Sequence, residues 1–165
     1  MIDLTKKLPL KKDARTFLKL RSDQNILLLM PASRPQELRY ILPTFMRAAK
    51  KLQQKYPSLV VYIPSCRSAF DEIFKKAFRK YQVNGLVISQ KDSAKLKPYI
   101  YSLTKIAFCK SGTVNMELAL YGIPQIVGYR VSRVTAFIAK KILNFKVRFI
   151  SPAVSYTHLT LPTKA

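Results

Sequence analysis

The stretch Lys105-Ile106-Ala107-Phe108-Cys109-Lys110-Ser111-Gly112-Thr113-Val114-Asn115-Met116-Glu117 passes from an apolar run through a small turn into helical spacing without a break. Ile106 to Cys109 has the pattern of a strand covered on both faces. The spacing predicts a helix from about Val114 to Leu120. The same unit recurs upstream. Ile26 to Met30 is a continuous apolar run stopped by Pro31, and from Pro35 the positions Leu38, Ile41, Leu42, Phe45, Met46, Ala49 and Leu52 follow a helical period. Pro43, inside that period, predicts a kink or a restart. Leu59 to Ile63 is closed by Pro64 and followed by the helical positions Phe70, Ile73, Phe74, Ala77 and Phe78. Gly85 to Ser89 precedes a short helix from Ala94 to Leu103. Downstream, Gln125 to Tyr129 precedes an amphipathic helix from Val134 to Ile142, and Val147 to Ile150 supplies a candidate sixth strand. Strands alternating with helices at this spacing predict an α/β fold with a doubly wound, mostly parallel sheet.

Around that core the organisation divides in three. Residues 1–24, rich in Lys and poor in apolar positions, read as a basic arm or linker; residues 25–152 carry the alternation. Residues 153–165 look non-native: the segment has one charged residue, Lys164, holds the sole histidine, His158, and resembles a truncated frame read into adapter sequence. His158 is therefore given no chemistry. The chain has 165 residues, 48% of them hydrophobic, which suffices for one core and excludes the disordered class. No apolar run approaches the ~18 residues of a membrane span, and the N-terminus has no apolar stretch of secretory type. Cys66 and Cys109 fit neither a disulfide framework nor zinc-ligand spacing, and read as buried reduced thiols. With 30 Lys+Arg against 8 Asp+Glu, the net charge of +22 calls for an anionic partner: nucleic acid, a phosphorylated ligand or a membrane surface.

Three loops at strand exits can carry chemistry. Ser111-Gly112-Thr113 opens a helix whose free amides and positive dipole end suit a phosphate or diphosphate, with hydroxyl donors at Ser111 and Thr113 and room for close approach at Gly112. The same residues also cap helices for purely structural reasons, and spacing alone leaves both readings open. Glu117 is the only acidic residue after Asp92. One turn into that helix, its carboxylate can accept both hydroxyls of a ribose whose phosphates sit on the turn. Alternatively it complements the helix dipole or pairs with Lys110. It does not complete a capping box with Thr113, being four residues on rather than three. Pro31-Ala32-Ser33-Arg34-Pro35-Gln36-Glu37 offers a guanidinium for bidentate phosphate contact, or else a Ser33 cap with a solvated Arg34. Gly128-Tyr129-Arg130 repeats the choice between a ligand-facing and a surface arginine.

Leu28 to Arg34 with Glu37 and Leu42-Pro43, then Ser111-Gly112-Thr113 with Glu117, then Val127 to Arg130, resemble the lipid-A-disaccharide synthases in order and spacing over about residues 20–152. The resemblance implies the nucleotide-binding, C-terminal half of a GT-B glycosyltransferase, a fold of two Rossmann-like domains around a cleft. It implies UDP-diacylglucosamine as donor and diacylglucosamine phosphate (lipid X) as acceptor, with a disaccharide and UDP as products and no cofactor or metal. By that likeness Ser33 and Arg34 lie near the phosphates or donor sugar, Ser111, Gly112 and Thr113 hold the diphosphate, Glu117 binds the uridine ribose, and Arg130 belongs to the substrate site. The sequence departs from the family in places. Ala32 stands where many members have Gly, and Ser151-Pro152-Ala153-Val154 stands where they continue Leu-Pro-Asn-Leu with a functional Asn. The domain supplying the family's catalytic acidic residue has no counterpart in the stretch, so no catalytic residue is assigned, and the chain alone is expected to be an inactive fragment.

The rival readings are a different UDP-sugar enzyme of GT-B type and a basic nucleic-acid-binding domain. Lys and Arg are spread over every predicted helix rather than gathered in one run, and no RNA- or DNA-binding motif is present, which argues against nucleic acid. An anionic membrane surface suits the charge better, since each cation near it contributes roughly 1 kcal/mol. Lys140, Lys141, Lys146 and Arg148, near Phe137, Phe145 and Phe149, are the candidate face; solvated helix edges are the plainer reading. The expected location is cytoplasmic and peripheral on the inner membrane, or in a plastid. Oligomeric state is not legible.

Overall fold

In β1 (Asn25–Met30) every side chain from Ile26 to Leu29 is fully buried, although neighbours in a strand point to opposite faces. The run has no polar side because both faces are covered. Leu27 and Leu29 join one core with Leu38, Ile41, Phe45 and Met46 of α2 (Pro35–Lys55) and Phe74 and Phe78 of α3 (Asp71–Tyr81). Ile26 and Leu28 join the opposite core with Ala14 of α1 (Lys11–Phe17), Ile100 and Tyr101 of α4 (Gln90–Leu103) and Leu118 of α5 (Thr113–Leu120). Full burial of a leucine is worth about 1.5–3 kcal/mol, so this one strand ties both layers to the sheet.

The computed structural model describes residues 8–128. The remaining strands are β2 (Leu59–Pro64), β3 (Gly85–Ile88), β4 (Thr104–Lys110) and β5 (Gln125–Gly128), with a turn of 3-10 helix at Ser68–Phe70 before α3. All five strands are parallel, in the order β3-β2-β1-β4-β5. The expected doubly wound parallel sheet of a Rossmann-like half is therefore present. The chain winds outward from β1 to β3, then crosses back to lay β4 on the other side of β1. Met30 pairs with Cys109, so β1 and β4 end side by side at this switch of direction. In open α/β sheets that crevice is where ligands bind.

Two expectations are corrected. Residues 11–17, read as part of an arm with little core content, form α1 with Ala14 fully buried. The helix is held by Phe17 stacked on Tyr99 at 4.0 Å and by the Arg15 guanidinium donating to the carbonyls of Arg21 and Gln24. α2 does not restart at Pro43 but runs as 21 residues through it. Leu38, Ile41 and Leu42 before the proline, and Phe45, Met46 and Ala49 after it, are buried on the sheet, and this anchoring outweighs one missing amide. The expected helix 134–142, the sixth strand 147–150 and the tail 153–165 lie outside the described residues.

Candidate functional site

The exits of β1 and β4 border a cleft of about 1450 Å³. From β1 come Met30, Pro31, Ala32, Ser33 and Arg34; from β4 come Lys110, Ser111, Gly112 and Thr113. Glu117 and Glu37 also line it. Six predicted site residues, Ser33, Arg34, Ser111, Gly112, Thr113 and Glu117, thus face one space, though the two loops are far apart in sequence. The seventh, Arg130, lies outside the described residues.

The turn after β4 is pinned from beneath. Asn115 is fully buried, and its Oδ1 accepts the Gly112 amide at 2.8 Å. Its Nδ2 donates to the Cys109 sulfur at 2.9 Å and to Gln125 Oε1 at 3.1 Å, while Gln125 Nε2 donates to the Asn115 carbonyl at 2.9 Å. Asn115 therefore supplies the carboxamide half of a capping box, to which a glycine contributes no side chain. The amides of Thr113 and Val114 donate to no backbone carbonyl among the described residues and remain at the positive end of α5. Above Gly112 a Cβ would meet nothing within 4 Å, so open space stands directly over this backbone.

Charge is arranged around two carboxylates. Lys110 Nζ donates to Glu37 Oε1 at 2.7 Å, and Arg34 Nη1 stands 3.9 Å from the same oxygen. Glu37 thus draws two cations to the β1 side of the cleft. Arg34 is the N-cap of α2 with its side chain 77% exposed, and Ser33 makes no cap, so the purely structural reading of Ser33 is not met. Glu117 pairs with Lys97 of α4, not with Lys110. Lys97 Nζ also lies 5.7 Å from the centroid of the Tyr101 ring, and Tyr101 meets Tyr121 edge-on at 5.3 Å. The buried Tyr101 hydroxyl has no hydrogen-bond partner among the described residues; burial first, then the nearby Glu117 charge, push this phenol far above its ordinary range.

The two cysteines separate. Burial pushes the Cys109 thiol up to about 11, partly offset by the bond from Asn115, so it remains a protonated structural group. Cys66, expected to be buried, is exposed at the cleft rim because the segment after β2 leaves the sheet there. It also borders a side cavity of about 120 Å³ with Ser65, Ser93, Lys97, Ile100 and Tyr101. Lys97 and Tyr101 escape sequence reading because α4 carries no motif of its own. Asn115 did carry a signal, three residues after a turn glycine. Among the described residues no group of three or more His, Cys, Asp or Glu side chains could hold a metal, and no helix is long and apolar enough to cross a membrane.

Comparison with known proteins gives this arrangement a context. The family model described as lipid-A-disaccharide synthetase matches residues 1–157. The chain is 47% identical to a lipid-A-disaccharide synthase of Prochlorococcus marinus, covering 92% of this chain and 39% of that protein. It is 36% identical to a synthase of the same name from Gloeothece citriformis, over 92% of this chain and 38% of the relative. A Synechocystis synthase is 33% identical, over 90% and 37%. The chain thus spans well under half the length of the relatives it matches. With the family model extending over nearly all its residues, the chain belongs to the lipid-A-disaccharide synthetase family.

Proposed function

We propose that the chain is the nucleotide-sugar-binding half of a glycosyltransferase of lipid A biosynthesis, which transfers diacylglucosamine from UDP-diacylglucosamine to lipid X and releases UDP. The observation that carries this is the meeting of two loops, from β1 and β4, in one cleft at the switch point of the sheet. The amides of Thr113 and Val114, with the Ser111 and Thr113 hydroxyls, receive the diphosphate at the positive end of α5. Arg34 reaches from the opposite wall toward the phosphates or the donor sugar, with Ser33 beside it. Glu117 accepts the hydroxyls of the uridine ribose, and Arg130 completes the substrate site. The basic surface, including Lys140, Lys141, Lys146 and Arg148, attaches the protein peripherally to an anionic bilayer on the cytoplasmic side of the inner membrane, where a lipid donor resides.

Calorimetric titration with UDP tests the reading. Saturable binding that falls at least tenfold in Glu117→Ala, the loss of charge-assisted hydrogen bonds worth roughly 1.5–3 kcal/mol, is the expected result. Absence of a UDP response, together with tight and salt-sensitive DNA binding, overturns it in favour of a nucleic-acid partner.

A further inference from the structure

We infer that Lys97 is a positioning residue that acts through Glu117, setting the carboxylate of α5 from the neighbouring helix α4. This rests on the reading of Glu117 as the acceptor of a ribose diol. A glutamate on the wall of an open cleft has three rotatable bonds, and ordering it costs side-chain entropy at each binding event. Here that ordering precedes the ligand. The Lys97 ammonium is in ion-pair contact with Glu117 Oε1, and both side chains are partly buried, at 40% and 32% exposure. The ammonium is itself steadied over the Tyr101 ring, which is 2% exposed and braced edge-on by Tyr121. A rigid aromatic pair in the core of the α4–α5 layer thus holds a cation, and the cation holds the carboxylate.

The arrangement leaves Glu117 able to work. A carboxylate has about four lone-pair sites, and one ammonium contact leaves enough for two hydroxyl donors. Lys97 borders the side cavity rather than the loop of Ser111 to Thr113, so its route to the ligand runs through Glu117. A cation that touched the diphosphate directly would strengthen every nucleotide alike. One that aligns Glu117 strengthens most those presenting both ribose hydroxyls.

The test compares UDP with 2′-deoxy-UDP, which keeps base and diphosphate and lacks one hydroxyl, on the full chain by calorimetry. The unsubstituted chain is expected to prefer UDP. Lys97→Met is expected to weaken UDP by roughly threefold, the scale of a partly exposed ion pair, and 2′-deoxy-UDP, which keeps a single hydroxyl donor, by clearly less. Lys97→Arg restores the preference, and Lys97→Met adds nothing in a Glu117→Gln background. Equal weakening of both nucleotides, or no effect on either, while Glu117→Gln still removes the preference, overturns the role of Lys97 and leaves that of Glu117 standing. No preference in the unsubstituted chain, or one that Glu117→Gln leaves intact, overturns both. Melting temperatures of the variants, expected within a few degrees of the parent for a side chain only partly buried, separate binding from folding.

Discussion

Cys109 occupies the last fully buried position of β4, one residue before the cleft, and its thiol accepts a hydrogen bond from Asn115 while burial disfavours the thiolate. The consequence for stability has a definite sign. A group whose folded pKa is raised contributes fully below its unfolded value and loses that contribution as the pH climbs toward the folded one. For Cys109 the window runs from the ordinary thiol value of 9.0 to about 11. Stability should therefore fall as the pH rises through this range, by about 1–2 kcal/mol on account of this residue. Melting temperatures between pH 8 and pH 11 should decline less steeply in Cys109→Ala than in the parent, and equal slopes would remove Cys109 from the account. At this scale the sequence disclosed the residues whose chemistry is local. Ser111, Gly112 and Thr113 announce a turn before a helix, and Glu117 stands out as a lone acid among cations. Lys97 and Tyr101 announce nothing, because what they do depends on α4 lying beside α5.

Elements were legible where their hydrophobic period was unambiguous. β1, β2 and β4 are apolar runs without alternation, as strands covered on both faces must be, and α2 and α3 carry clean helical stripes. α1 was not legible. Its seven residues contribute a single buried side chain, Ala14, and its attachment comes from a stacked Phe17 and a bridging Arg15, neither of which leaves a periodic trace. Pro43 left a kink or a restart open, and burial on either side of it removes the restart. The start of β3 shows how tightly the elements are fitted. A Cβ on Gly85 would stand 2.2 Å from the Val61 carbonyl and 2.5 Å from the Phe78 ring, so strand and helix close on a position that has room only for hydrogen. Gly85→Ala should destabilise the fold by about 1–3 kcal/mol, with an unchanged denaturant slope in urea unfolding. A loss below about 0.5 kcal/mol would mean that β3 shifts freely at the sheet edge.

For the whole molecule, the loops after β1 and β4 were legible separately but not as one space, since only the parallel register of Met30 with Cys109 sets their exits side by side. The charge was legible as a quantity and not as a surface. Within the described residues it is partly spent locally: Lys110 on Glu37, Lys97 on Glu117, Lys75 on Glu72. From Tyr129 onward the sequence has seven Lys and Arg and no Asp or Glu, so no local carboxylate in that stretch can offset them. On the proposed peripheral attachment, each cation close to an anionic surface contributes roughly 1 kcal/mol, so four such residues would supply most of the hold. Charge reversal of Lys140, Lys141, Lys146 and Arg148 to Glu should therefore abolish co-sedimentation with vesicles containing phosphatidylglycerol at 0.1 M salt. UDP affinity should be unaffected, since the proposed nucleotide site is the cleft. Attraction of this kind is screened over about 10 Å at that ionic strength, so raising the salt to 1 M should release the unsubstituted chain as well. Sedimentation that survives both the reversal and the salt would place attachment in apolar contacts instead, and would detach the chain's +22 charge from the membrane altogether.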